Sequence, residues 1–406
     1  MTAAKDAAEL HHRRWLTRGV AGIGSASFLA DVGHEVPTAL LPSLVTSTLG
    51  GSAAALGVIE GVSDGLAGAA RLAGGALADD PHRRRAIAVG GYTSTAVLAS
   101  LTGAATAVWQ VAILRAGAWT ARGLRVPARN ALLADVVPAC AYGRAYGFER
   151  AMDNLGAIVG PLLAIGLVAV VGVRWAIALS VIPGLLAAVA IVYAIRHTRT
   201  AQRRERQPIR LRLRPVLRGD LGGLMAAVAA FEVGNVAATL LILRATQLLT
   251  PGQGVEAATR WALWLYVGYN VAATVAAVPA GRLADRIGRR GPILVLAGGV
   301  AMFGFAYAGF SLTGASLAML ALPFIAAGIG IGAVETAEHV AVAALAPENL
   351  RGSAFGLLAT IQAVGNVAAS AIAGILWTTV SPAAAFAHLT AWIVLALVGL
   401  LATARR

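Results

Sequence analysis

Twelve apolar runs follow one another along the chain, at 18–47, 53–78, 86–108, 110–137, 145–172, 175–195, 220–249, 261–281, 291–311, 316–346, 353–378 and 385–403. A helix crossing the hydrocarbon core of a bilayer takes roughly 20 apolar residues, and these runs have about that length. Water offers such a chain no fold, because 58% of its 406 residues are hydrophobic and only 13% are charged. Soluble domains carry about 25% charged residues, and a soluble fold built from this sequence would expose large apolar patches. The pattern predicts an all-α polytopic membrane protein with twelve transmembrane helices. The 47 glycines suit it, since small residues let membrane helices approach closely.

The net charge of +14 looks at first like a nucleic-acid signal, but its placement explains it otherwise. Lys5 is the only lysine, and the arginines outside the runs fall almost entirely on one side of the alternating loops. That side holds Arg13, Arg14, Arg18, Arg83 to Arg85, Arg144, nine arginines from Arg196 to Arg218, Arg282, Arg286, Arg289, Arg290, Arg351, Arg405 and Arg406; the other holds Arg174 and Arg260. Positive loops stay inside, so both termini are expected in the cytoplasm; the membrane is expected to be the cell's inner (plasma) membrane, and no nucleic-acid partner is expected. The first run has no small-residue cleavage site before Asp31 and reads as a retained helix. Cys140 is the only cysteine, which excludes an intrachain disulfide.

The chain divides near its middle, and the parts repeat. Residues 1–195 and 219–406 form two six-helix halves joined by a basic cytoplasmic linker, 196–218. Gly75-Ala-Leu-Ala-Asp79 followed by Arg83 returns 206 residues later as Gly281-Arg-Leu-Ala-Asp285 followed by Arg289. Pro138 with Gly143-Arg-Ala-Tyr-Gly147 returns 209 residues later as Pro347 with Gly352-Ser-Ala-Phe-Gly356. Parallel repeats about an axis along the membrane normal are a transporter architecture.

On these residues the chain resembles the major facilitator superfamily over essentially its whole length. Gly281 to Arg290 looks like that family's signature between helices 8 and 9. The counterpart at Gly75 to Arg85 departs from it at Pro81 and His82. In helix 5, Gly156-Ala-Ile-Val-Gly160-Pro161 is similar to the family's antiporter motif, with Ala164-Ile165 where the motif continues Gly-Gly. Arg115, Arg122, Arg125, Pro127 and Arg129 of helix 4, with the segment Gly143 to Asp153, look like a bacterial efflux-type subgroup. The resemblance implies the two-bundle fold, gating by Asp79, Arg83, Arg129, Asp285, Arg289, Gly156, Gly160 and Pro161, and no cofactor. A carboxylate beside a helix N-terminus meets the positive end of the dipole, and nearby arginines can tie it to a neighbouring helix.

Ionisable groups inside spans are costly and mark functional sites. Helix 1 carries Asp31, His34 and Glu35 on one face, helix 2 carries Glu60 and Asp64 four apart, and helix 5 carries Asp153 and Asn154. Arg122 and Arg125 of helix 4 are the expected countercharges. The second half supplies Glu232 on helix 7 and Glu335, Glu338 and His339 on helix 10. An acid near arginine keeps its charge, whereas one alone in an apolar site can carry a proton. These residues are read as proton- and substrate-binding, in a monomeric secondary transporter that exports a small organic molecule against protons. No resident metal is expected. Export of a metal ion or metal complex, with His34 and His339 among the ligands, is the alternative within transport. A membrane-embedded lipid-modifying enzyme is the alternative outside it.

Overall fold

The computed structural model describes residues 15–198, 213–311 and 316–404. Most of the linker, at 199–212, and the termini at 1–14 and 405–406 lie outside the described residues, as do the expectations that fall on them. The described residues form twelve long helices and no strand. In the first half these are α1 (Arg18–Pro42), α2 (Ala53–Ala78), α3 (Pro81–Leu101), α4 (Val108–Val136), α5 (Tyr142–Leu179) and α6 (Val181–Arg196). In the second they are α7 (Gly219–Gln253), α8 (Val255–Ile287), α9 (Gly291–Ser311), α10 (Leu317–Leu345), α11 (Arg351–Thr379) and α12 (Pro382–Ala404). Seven stretches among the described residues are long and apolar enough to cross a membrane by length and composition, the first running through both α5 and α6. The first four helices are not among them. Ionisable side chains are set along α1, α2 and α4, and arginines and hydroxyls along α3.

Helix ends follow local chemistry. Thr17 caps α1 by accepting from Val20 N–H at 3.3 Å, Ser52 caps α2 by accepting from Ala55 N–H at 3.1 Å, and Asp80 caps α3 with Pro81 in the first turn. Gly288 ends α8 at φ +81°, a conformation only glycine adopts without strain. Gly172, at φ +76°, bends α5 within its length.

By packing, the chain forms two compact units: Met1–Ala141 with Met152–Leu213 and Ala346–Thr360, and Tyr142–Ala151 with Arg214–Leu345 and Ile361–Arg406. In the first unit α2 packs on α4, α3 on α4 and α6, and α1 on α6. In the second, α8 packs on α10, α9 on α10 and α12, and α7 on α12. The same pattern thus recurs six helices later, which is the repeat seen in the sequence. Small residues line these seams: a Cβ on Gly33 of α1 would lie 2.9 Å from the backbone nitrogen of Gly184 of α6. Val170, Ile165, Trp175, Val275 and Ile375 are exposed, while arginines and carboxylates are buried, the reverse of a soluble protein.

One run behaves differently from its sequence. Residues 220–249 read as a continuous helix, yet α7 opens at residues 235–237. No proline causes this; side chains from α9 and α11 take over the freed backbone groups. The Tyr307 hydroxyl donates to the Gly234 carbonyl at 2.9 Å and accepts from Val236 N–H at 3.2 Å. Ser370 accepts from Ala237 N–H at 3.0 Å, and Asn366 donates to the Asn235 carbonyl at 3.0 Å. Apolar surroundings tolerate an open backbone only when it is satisfied in this way.

Candidate functional site

In the first unit the arginines of α4 meet acids from three helices. Arg115 donates twice to Glu60 of α2, at 2.8 Å each, and its guanidinium stacks 3.7 Å from the Trp119 ring centre. One turn along, Trp119 Nε1 donates to Asp64 at 2.9 Å, so the i, i+4 pair on α2 faces an i, i+4 pair on α4. Arg122 reaches Asp31 of α1 at 3.4 Å and also contacts His34 Nε2. A guanidinium only donates, so that ring nitrogen accepts. Glu35 lies 3.7 Å from the same nitrogen, and Trp119 packs 4.5 Å from the His34 ring. Arg129 donates to Asp153 of α5 at 3.1 Å and to Ser27 at 2.9 Å. Asn154 keeps a buried side-chain nitrogen without a hydrogen-bond partner among the described residues. Arg125 has no carboxylate partner there; it lies 4.0 Å over the Tyr92 ring.

The second unit is acidic where the first is rich in arginine. Glu232 is buried on α7 just before the break and accepts from Asn235 at 3.0 Å. Glu338 is fully buried on α10; one oxygen accepts from Gln362 at 2.8 Å and the other has no hydrogen-bond partner. His339 Nδ1 lies 2.6 Å from the carbonyl oxygen of Glu335, and its ring packs 5.8 Å from Tyr146. Among the described residues neither Glu232 nor Glu338 pairs with an arginine, and no three His, Cys, Asp or Glu side chains converge to hold a metal ion.

The paired Gly and Asp motifs meet helix N-termini. Asp285, at the end of α8, accepts from the backbone N–H of Gly143 at 2.7 Å and of Arg144 at 3.0 Å, in the first turn of α5, and from Arg144 Nε at 2.9 Å. Asp79, at the end of α2, accepts from Ser353 N–H at 2.9 Å and from the Ser353 hydroxyl, in the first turn of α11. Each carboxylate therefore neutralises unpaired N–H groups at a dipole end. Arg289 is exposed and Arg83 lies 3.5 Å from Asp80; the arginine that holds Asp285 is Arg144. In the first unit, Asp135 of α4 pairs with Arg84 and lies 3.8 Å from Arg351. The spacing of the motif did not single out Arg144, Arg84 or Ser353; the one signal is that Arg144 lies in the first turn of α5, Ser353 in that of α11 and Arg84 in that of α3.

Burial pushes the Asp79 carboxyl above the usual aspartate value of 3.8, opposed by the hydrogen bonds from Ser353. A carboxyl whose folded pKa is raised contributes stability below its unfolded pKa and loses that contribution as pH rises through the raised value. The melting temperature of the wild type should therefore decline from acid to neutral pH more than that of Asp79→Asn. Parallel melting curves for the two would leave Asp79 without a part in the pH dependence.

Gly156 and Gly160 of α5 sit against the acidic face of α1. A Cβ on Gly156 would lie 2.6 Å from the Phe28 carbonyl and 2.9 Å from Asp31 Cβ, and one on Gly160 would collide with Glu35 Cβ. Pro161 follows inside the helix, where it removes a backbone donor.

Two six-helix packings of one pattern define the class as a polytopic helical membrane fold. The chain belongs to the Major Facilitator Superfamily, whose model matches residues 23–248 and 222–406. It is similar to an uncharacterized MFS-type transporter of Methanocaldococcus jannaschii, 26% identical over 379 residues covering 92% of each chain. It is also 28% identical over 373 residues to an uncharacterized protein of Mycobacterium tuberculosis, covering 89% of this chain and 87% of that one. Two solved structures share the fold. One is a bacterial homologue of the iron transporter ferroportin in an outward-facing state (TM-score 0.79, 15% identity, 96% of this chain and 100% of that one). The other is the human organic anion transporter MFSD10 (TM-score 0.71, 15% identity, 94% and 99%). The chain is thus a multi-pass membrane protein of a transporter family, and the lipid-modifying enzyme falls away.

Proposed function

We propose that the protein is a proton-coupled secondary transporter that exports a small organic molecule by alternating access. The observation that carries this is the α1 face: Asp31 is buried within a span and held by Arg122 at 3.4 Å beside His34 and Glu35. A carboxylate in that position exchanges a proton for its guanidinium partner, and protonation frees Arg122 to act on a solute. Glu232 and Glu338, buried without a cation, are the corresponding proton candidates of the second unit. The antiporter-type glycines of α5 support export, because they lie directly against Asp31 and Glu35. The test is a substrate panel read by thermal shift, followed by proteoliposome flux under an imposed pH gradient. Flux indifferent to the gradient for every stabilising solute would overturn the proton reading.

A second reading, export of a metal ion or metal complex, rests on His34 and Glu35 at 3.7 Å with Asp31 on the same face. The likeness to the bacterial ferroportin homologue agrees with it at the level of fold. Flux that answers only to added divalent metal would select it.

The location proposed with this function is the inner (plasma) membrane, with the termini and the 196–218 linker in the cytoplasm, on the strength of the one-sided arginines. Single cysteines introduced between 199 and 215 should be silent to an impermeant maleimide in intact cells and react after permeabilisation. Labelling from outside would invert the topology.

A further inference from the structure

The turns at the ends of α2 and α8 are copies of one motif, and they spend their arginines differently. In the first unit the charges are answered within the chain: Arg83 lies 3.5 Å from Asp80, and Arg84 is buried against Asp135. In the second unit the positions 206 residues on from Ala76 and Asp80 are Arg282 and Arg286, and Arg289 and Arg290 follow. All four are exposed, and among the described residues none of them makes an ion pair or a hydrogen bond. The one carboxylate in this stretch, Asp285, is held by Gly143 and Arg144. The arginines are therefore left to an anion from outside the chain.

Their place on α8 selects the kind of anion. At 3.6 residues per turn, Arg282 and Arg286 fall within about 20° of Val275 on the helix surface, with Val271 about 40° to one side. Val271 and Val275 are exposed, as are Leu283 and Ile287, which alternate with the two arginines. The far side of the helix, at Ala277 and Ala284, is buried. One exposed stripe thus runs apolar along the span and turns to guanidinium about 10 Å beyond Val275. In a membrane protein the solvent for exposed valines is acyl chain, so the arginines closing the same stripe stand at headgroup level, where long basic side chains reach phosphate. A soluble phosphate would use the guanidinium groups and leave Leu283 and Ile287 in water. A diacyl phosphate ester uses both.

We propose that the C-terminal end of α8, with the turn into α9, binds an anionic phospholipid. Arg282 and Arg286 hold its phosphate, Arg289 and Arg290 add positive potential, and its acyl chains lie along Leu283, Ile287 and Val275. The bound lipid steadies the turn from which Asp285 reaches the start of α5.

The test uses purified, delipidated full-length protein in neutral detergent at low salt. It is titrated with dioctanoyl phosphatidylglycerol or dioctanoyl phosphatidylcholine and read by thermal shift and native mass spectrometry. Phosphatidylglycerol should bind saturably and at least about ten-fold tighter than phosphatidylcholine, which has the same phosphate without net charge. Arg282→Gln combined with Arg286→Gln should weaken phosphatidylglycerol binding about ten-fold or more. Arg85→Gln combined with Arg196→Gln removes the same charge from arginines of the first unit that are also without an ion pair, and should leave binding within two-fold. Equal binding of the two lipids would overturn the proposal, as would equal losses in the two double variants, each first shown to be monodisperse. Saturation by glycerol phosphate at the concentration that suffices for the lipid would overturn it in favour of a soluble phosphate. No arm depends on which side of the membrane the turn occupies, so failure here would leave the proposed topology standing.

Discussion

Asp31→Asn should reduce pH-driven uphill flux by about 100-fold or more while leaving substrate counterflow close to wild type, a loss equivalent to about 2.7 kcal/mol of coupling. The substitution keeps the shape and buried volume of the side chain and removes its titration together with its negative charge. Asp31 is 5% exposed and pairs with Arg122 at 3.4 Å, so a guanidinium rather than bulk water supports its charge. Coupling requires that proton and solute each alter the affinity for the other. A residue that binds the proton can be lost without destroying solute exchange, and this separates it from a residue that merely holds the fold. Glu35→Gln is the companion measurement, because Glu35 shares the face and is a quarter exposed. Full pH-driven accumulation in both variants would move the proton site to Glu232 or Glu338, which are buried without an arginine.

Gly281→Ala should lower turnover at least ten-fold, and more than Asp285→Asn. At this point the end of α8 and the start of α5 touch backbone to backbone. A Cβ on Gly281 would run into the Gly143 carbonyl, and one on Gly143 into the Gly281 carbonyl. Neither atom is the end of a flexible side chain, so the backbones themselves would have to part. Overpacking of this kind costs about 1–3 kcal/mol. Separation also takes Asp285 away from the Gly143 and Arg144 amides, which it now meets at 2.7 and 3.0 Å. Asp285→Asn keeps a carbonyl oxygen for those amides and loses only the charge, so its effect is smaller. Gly298→Ala on α9 is the control, since a Cβ there meets nothing within 4 Å. Wild-type turnover in Gly281→Ala would show that this contact is not broken and remade during transport.

Much of the fold was legible in the residues alone. The run at 291–311 coincides with α9, and most of the others fall within a few residues of their helices, because apolar length is a local property that a bilayer reads directly. The two-fold repeat was likewise visible, since Gly75 and Gly281, and Asp79 and Asp285, recur at one spacing and the helix packing recurs with them. The presence of charge inside spans was also plain. Its pairing was not. Helical periodicity places Asp31, His34 and Glu35 on one face, but which of four arginines each meets depends on the rotation and depth of α1 against α4. Only packing decides that Arg122 takes Asp31, Arg129 takes Asp153, and Arg125 is left over a tyrosine ring. The break in α7 was hidden for the same reason. An apolar run continues as helix unless outside donors and acceptors compensate its open groups. Those partners, Tyr307, Asn366 and Ser370, lie 71 to 133 residues away in the chain. A sequence displays which groups need partners; distance in space, which tertiary structure alone sets, selects the partners.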